Sequence, residues 1–218
     1  MEKALLRISE LAQKGSVLAS TVRHYTDIGL IRPAMETEGG HRLYDAQTAL
    51  QRLMKIQLLS KRGLSLDEIG ARLARSPGVM SVLLVDDDPA VVDFLRSVFE
   101  LYSGKPVPGG KILPEVRLEI VNEGFSAGKK CSELLPDLVI LDLMLPGVNG
   151  FKICQAIHRD SELGPLVKIL AITGYDTPEN RALILAAGAH AYLAKPFRIN
   201  EFFDELEKLG MLYEGKDS

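Results

Sequence analysis

Leu138-Val139-Ile140-Leu141-Asp142 is the stretch on which the reading of this 218-residue chain turns. Four apolar, mostly branched residues in a row predict a strand buried on both faces, as in a parallel sheet. An acid closes that strand, and Leu145-Pro146-Gly147-Val148-Asn149-Gly150 then turns the chain away. Ligands of open α/β sheets bind in the crevice beyond the carboxyl ends of the strands. At that point Asp142 is either a helix cap or a reacting group.

The same alternation extends on both sides. Strands are predicted at residues 82–85, 116–121, 138–141, 167–172 and 189–193, with helices near 88–101, 124–135, 150–159, 178–187 and 199–209. Strands alternating with helices argue a parallel, doubly wound α/β sheet, with right-handed crossovers placing helices on both faces. One connection is too long for this pattern. Residues 103–115 hold three prolines and three glycines, well beyond the ~2–6 residues usual for such a loop. It is expected at the end of the sheet opposite Asp142, as a tolerated surface insertion.

Before Ser81 the pattern changes. Ile8, Leu11 and Ala12 mark a short amphipathic helix, and a second runs from Ala19 to Asp27. Ala46, Ala49, Leu50, Leu53 and Ile56 repeat at helical spacing in a longer one that ends before Gly63. Ser65 opens a fourth, with Asp67 and Glu68 in its first turn. A short joint, Ser76-Pro77-Gly78-Val79-Met80, divides this segment from the sheet. The expected domains are therefore 1–76 and 81–218, with 77–80 as linker.

Apolar residues make up 46% of the chain and charged residues 25%, the balance of a soluble globular protein. No apolar run approaches the ~20 residues of a membrane helix. The N-terminus lacks a secretory leader pattern, so no membrane association and a cytoplasmic location are expected. Cys131 and Cys154 lie in predicted helices without metal-site spacing, which suits small thiols in a reducing compartment. Charge is uneven: residues 1–78 carry 12 Lys and Arg against 8 Asp and Glu, and the remainder carries 14 against 21. A basic segment joined to an acidic one suggests different partners.

The first strand of the sheet ends in Asp86-Asp87-Asp88. In the doubly wound order 2-1-3-4-5, strands one and three are neighbours, so Asp86 and Asp87 are expected beside Asp142. Such carboxylates repel unless a divalent cation neutralises them, and oxygen-only ligands suit Mg²⁺. Asp88 before Pro89 reads as a helix cap. Strand four ends in Thr173-Gly174, and Lys195-Pro196 follows strand five. A hydroxyl and an ammonium thus converge on three carboxylates. Phosphoryl transfer to a carboxylate needs a nucleophile, a metal, a donor and countercharge for three oxygens.

With these residues in view, residues 81–210 resemble the receiver domain of two-component response regulators, a flavodoxin-like (βα)5 fold. The likeness rests on Asp86, Asp87, Asp142, Pro146, Gly150, Thr173, Tyr192 and Lys195-Pro196-Phe197. It implies that Asp142 accepts a phosphoryl group from a histidine kinase or phosphotransfer protein. Asp87 and Asp142 would bind Mg²⁺ with the Met144 backbone carbonyl, and Asp86 would hold a coordinating water. Lys195 and Thr173 would hold the phosphoryl group, while Tyr192 would turn inward when Thr173 moves. The Lys195-Pro196 bond is usually cis in this family. The chain would be a phosphoryl acceptor rather than a turnover enzyme. Met144 and Tyr175 flank the acceptor, and their bulk is expected to slow water attack.

In the N-terminal segment, Ile8-Ser9-Glu10-Leu11-Ala12 and Thr21-Val22-Arg23-His24-Tyr25 give two short helices with a tight connection. Their composition suits either groove contacts from a helix-turn-helix or a docking module whose Arg and Tyr only pack. Gly39-Gly40-His41-Arg42-Leu43-Tyr44 belongs to an excursion that suits a wing. These strings, with Asp27-Ile28-Gly29-Leu30-Ile31-Arg32-Pro33, resemble the winged helix-turn-helix domain of MerR-type transcription regulators over residues 5–73. The resemblance places Arg23, His24 and Tyr25 on the recognition helix and makes Arg42 and Tyr44 wing contacts to phosphates. Leu18 stands where that family has a polar cap, a change worth about 1 kcal/mol of helix stability. The family's long dimerisation helix is missing, so a homodimer through the receiver is expected to set two winged domains on double-stranded DNA. The combined reading is a phosphorylation-dependent DNA-binding response regulator. An adaptor whose N-terminal domain binds a protein is the alternative.

Overall fold

β6 (Leu138–Asp142) is buried along its whole length and forms the middle of a parallel sheet. The computed structural model describes residues 4–73 and 79–214, which fall into two compact units on either side of the joint. In the C-terminal unit the sheet has the order β5 (Glu115–Val121), β4 (Val79–Val85), β6, β7 (Lys168–Thr173), β8 (Ala191–Ala194). That is the doubly wound order expected from the sequence. The intervening helices are α5 (Pro89–Tyr102), α6 (Gly124–Leu134), α7 (Gly150–Arg159) and α8 (Pro178–Ala186), and α9 (Ile199–Lys208) follows β8.

Apolar runs make the inner strands, because both faces are covered. Val82, Leu84, Ile140, Leu170 and Ile172 pack with Leu95 and Phe99 of α5 and Phe202 and Leu206 of α9. Phe99 meets Phe202 edge-on at 5.7 Å, a favoured aromatic geometry. Asp88 caps α5 by accepting the Ala90 N–H at 2.9 Å, with Pro89 in the first helical turn, as expected. Cys131 and Cys154 are fully buried, and burial pushes the Cys154 thiol up to about 11.

Two expectations need correcting. Val79 and Met80, assigned to the joint, open β4 and pair with Glu115 and Val116; Ser76, Pro77 and Gly78 lie outside the described residues. Residues 103–115 are not a loose surface insertion. They fold back as a hairpin in which Val107 N–H donates to Lys111 O and Leu113 N–H to Lys105 O. Ile112 and Tyr213 exchange backbone hydrogen bonds, so the hairpin also holds the segment after α9. Val107 and Leu113 are buried in the core, and Lys111 pairs with Glu207 and Glu214 at 2.8 and 3.3 Å. Apolar side chains spaced through the Pro-Gly run, and a tail able to add a strand, account for this order.

The N-terminal unit comprises α1 (Ile8–Lys14), α2 (Ala19–Asp27), α3 (Ala46–Lys61) and α4 (Leu66–Arg72) around Leu11, Val22, Ile31, Leu53, Ile56 and Ile69. Gly15 sits at the α1–α2 turn because a Cβ there would come 2.1 Å from Leu53. A small antiparallel sheet, β1 (Leu5–Arg7), β3 (Arg42–Asp45), β2 (Met35–Glu36), completes it, with β3 central. The β2–β3 hairpin is the wing. Its turn closes through Thr37 N–H to His41 O at 2.9 Å and Gly40 N–H to Thr37 O at 2.8 Å.

Candidate functional site: the carboxylate cluster and the basic cleft

Parallel pairing sets Val85 beside Leu141, so the residues that follow them emerge together at one sheet edge. Asp86, Asp87 and Asp142 each place a carboxylate oxygen within 4.8 Å of the others. Asp86 and Asp142 are buried and Asp87 is exposed, which opens the cluster to solvent on one side. Gly150 lets the start of α7 close on this edge: a Cβ there would come 2.5 Å from the Leu143 Cα and 2.7 Å from the Asp142 carbonyl oxygen.

Lys195 spans the two buried acids. Its Nζ donates to Asp142 Oδ2 at 2.6 Å and lies 2.9 Å from Asp86 Oδ2. The other oxygens are held by backbone: Asp142 Oδ1 accepts the Met144 N–H at 2.8 Å and Asp86 Oδ1 accepts the Asp88 N–H at 2.9 Å. Burial raises the Asp86 carboxyl above its ordinary range, although Lys195 and the Asp88 N–H work against that shift. Burial also opposes the charge on Lys195, but the carboxylates of Asp142 and Asp86 beside it outweigh that and raise the ammonium.

The set carries three negative charges and one positive. Asp86 Oδ2 is buried and takes no hydrogen bond despite the nearby ammonium. A buried polar atom left over in this way marks a missing partner, and an all-oxygen donor set of net charge −2 fits a hard divalent cation.

Thr173 is buried at the end of β7, where its Oγ1 accepts the Tyr175 N–H at 3.1 Å. The Lys195 N–H donates to the Thr173 carbonyl at 2.7 Å, tying the two strand ends together. The Lys195-Pro196 bond is cis. Tyr192 is half-buried on β8, Met144 is 52% exposed and Tyr175 is 60% exposed. The structure therefore brings Asp86, Asp87, Asp142 and Lys195 into one cluster, with Thr173 on the adjacent strand end. Tyr192 lies on β8 in register with Ala171, two residues before Thr173 on β7.

Residues 82–207 match the family model described as the response regulator receiver domain. The chain belongs to the response regulator receiver family. Residues 6–76 match a second model, the MerR HTH family regulatory protein, in the domain order read from the sequence. The chain is 37% identical over 120 residues to the DNA-binding response regulator MtrA of Mycolicibacterium smegmatis, covering 55% of this chain and 46% of that protein. It is 30% identical over 128 residues to the DNA-binding dual master transcriptional regulator RpaA of Synechocystis, covering 59% and 48%. The chain spans about half the length of the curated relatives it matches. Among solved structures, the signal receiver domain of a DNA-binding response regulator protein (merR) from Colwellia psychrerythraea superposes with a TM-score of 0.51 at 28% identity. That match covers 60% of this chain and 98% of that one.

The second candidate site lies in the N-terminal unit. Arg7, Ser9, Arg23, His41 and Arg42 line a cleft of about 530 Å³ between the start of α1, the helix α2 and the wing. Arg23 and His24 are exposed on α2, and Tyr25 is half-buried with its ring 6.1 Å from His24. Arg42 reaches across to Asp27 of α2 at 2.6 Å and to Glu36 at 3.4 Å, so in this state the wing guanidinium is engaged by carboxylates. The expected role of Tyr44 does not stand. It is fully buried, and its hydroxyl is 3.0 Å from Thr26 Oγ1, which makes it a core residue rather than a phosphate contact. Its place in the central strand β3 turns the ring inward.

Sequence reasoning missed Arg7 and gave His41 no role of its own. Their signal is basic character at the start of α1 and at the wing turn, visible only once β1 and β3 pair. Leu18 stands at the start of α2 without a side-chain cap and is 72% exposed.

Proposed function

We propose that the chain is a transcription regulator of a two-component system, acting in the cytoplasm, whose DNA binding is controlled by phosphorylation of Asp142. The observation that carries this reading is Lys195 bridging Asp142 and Asp86 beside a third carboxylate. An Asp142 carboxylate oxygen attacks the phosphorus of a kinase phosphohistidine. A P–O bond forms, the P–N bond breaks, and the imidazole leaves with the electron pair. Lys195 then transfers its hydrogen bond from the carboxylate to a phosphoryl oxygen, and the Met144 N–H keeps the acceptor oriented. The Thr173 hydroxyl exchanges the Tyr175 carbonyl, to which it donates at 3.5 Å, for a phosphoryl oxygen, which favours one of two loop positions. A divalent cation held by Asp86, Asp87, Asp142 and the Met144 carbonyl, Mg²⁺ by choice of ligands, would offset the charge of the phosphoryl oxygens. The chain assists this transfer to itself and does not act as a turnover enzyme.

Phosphate contacts from Arg7, Arg23 and Arg42 would hold the N-terminal unit on double-stranded DNA, with Arg42 exchanging Asp27 for phosphate. Such contacts make affinity fall steeply with salt. Receiver–receiver pairing would bring two winged units onto one site.

A second reading is supported by the exposed Leu18, Ile28 and Met35 of the N-terminal unit. There the unit docks a protein, and the chain is an adaptor. Mobility shifts on genomic fragments at two salt concentrations separate the readings. Wild type and Asp142→Asn are compared with and without a small phosphodonor and Mg²⁺. The proposal expects salt-sensitive DNA binding that the phosphodonor changes in wild type only. An equal change in both proteins overturns the switch, and no DNA binding under any condition favours the adaptor.

A further inference from the structure

Arg181 of α8 uses both surfaces of its guanidinium. Its edge forms a two-bond fork on Asp176, with Nε and Nη2 each 2.6 Å from a carboxylate oxygen. Its face lies over the ring of Tyr192, 5.4 Å from the centroid. A planar, delocalised cation can make both contacts at once, whereas an ammonium cannot.

Asp176 is not an arbitrary anchor. It lies three residues after Thr173, and hydrogen bonds brace the residues on either side of it. Tyr175 N–H donates to Thr173 Oγ1 at 3.1 Å, Asn180 Nδ2 donates to Tyr175 O at 3.3 Å, and Asn180 N–H donates to Thr177 Oγ1 at 3.2 Å. A displacement of Thr173 is therefore passed toward Asp176 through Tyr175 and Asn180. The fork tolerates such displacement poorly, because two parallel bonds fix distance and angle together. Tyr192 stands at the other end, half-buried on the edge strand β8 beside a groove of about 500 Å³.

We propose that Arg181 is a positioning residue that couples the loop after Thr173 to the ring of Tyr192, holding that ring at the surface while Asp142 is unmodified. The inference rests on Asp142 as phosphoryl acceptor. When the Thr173 hydroxyl gives up the Tyr175 carbonyl for a phosphoryl oxygen, Asp176 shifts, the guanidinium follows its carboxylate, and the ring loses its cation. Arg181 thereby adds to the work of closing the site, and its removal lowers that work.

The test uses the full chain labelled with 3-fluorotyrosine, with the Tyr192 resonance assigned from Tyr192→Phe. Beryllofluoride with Mg²⁺ serves as the phosphoryl mimic. In Arg181→Ala, without the mimic, the Tyr192 resonance should move part of the way to its saturated wild-type position. The half-saturating beryllofluoride concentration should fall about threefold, the factor expected of an exposed cation–π contact. Arg181→Lys should lie between the two. A variant with both readouts at wild-type values overturns the coupling. So does one whose unfolding midpoint drops while half-saturation stays put, since that marks a brace without coupling. If wild type itself gives no response to the mimic and matches Asp142→Asn, the acceptor reading fails and the coupling fails with it.

Discussion

Replacing Lys195 by Met removes the ammonium seated between the two buried acids, and the structure sets the size and sign of the effect. Nζ is 2.6 Å from Asp142 and 2.9 Å from Asp86, the lysine side chain is 19% exposed, and Asp86 is 0% exposed. Removing one partner of a fully buried ion pair costs about 3–5 kcal/mol. Partial exposure of Lys195 and water at the Asp87 side reduce this to about 2–3 kcal/mol without metal. The dependence on pH follows from Asp86. Burial already raises its carboxyl above 3.8 even with Lys195 in place, and loss of the cation raises it further. A carboxyl with a raised folded pKa favours the native state while protonated, and that stability is lost as pH rises through the folded value. The deficit of Lys195→Met should therefore be small near pH 4 and grow toward neutrality. Mg²⁺ should stabilise the variant more than wild type, because no ammonium competes for the same oxygens. Urea unfolding followed by circular dichroism, at acid and neutral pH with and without Mg²⁺, measures each part. Equal stability of the two proteins at neutral pH without metal, or a deficit that grows on acidification, would refute the reasoning.

Four further outcomes are expected. Trimming Met144 and Tyr175 together to Ala should speed loss of the phosphoryl group, and unchanged decay of the labelled protein would dismiss the shielding role of these exposed side chains. Tyr44→Phe should lower stability by about 1 kcal/mol through the lost Thr26 contact while leaving the salt dependence of DNA binding unchanged. Arg23→Ala should reduce the slope of log affinity against log salt by about 1, the signature of one phosphate contact. Leu113→Ala should cost about 2–4 kcal/mol in urea unfolding, since this side chain is fully buried in the core under the 103–115 hairpin.

Much of the C-terminal unit was legible because its signals are local. Leu138 to Leu141 read as a doubly buried strand from four consecutive apolar residues, and β6 is that strand. Pro89 after Asp88 announced the start of α5, and the structure has both in those roles. The cluster of Asp86, Asp87, Asp142 and Lys195 was legible for a different reason: strand order in a doubly wound sheet follows from topology, and topology brings strand ends together. Short elements were not legible. β1 has three residues and β2 two, too few for any period to register, and they exist because β3 pairs with both. The same pairing turned Tyr44 inward and brought Arg7 to the cleft. The hairpin at 103–115 escaped because its second arm pairs at Ile112 with Tyr213, about half the chain away in sequence.

Sequence by itself determined the two domains, the alternation of strands and helices in the C-terminal unit, and the acidic residues gathered at its strand ends. Periodicity, turn residues and strand ends carry that information within a few residues of one another. Tertiary structure decided which charges meet. Arg42 is held by Asp27 instead of standing free, and Arg181 joins Asp176 to Tyr192. Ion pairs and stacking depend on distances of a few ångströms between side chains on different elements. Only the packed arrangement of sheet, helices and loops sets those distances.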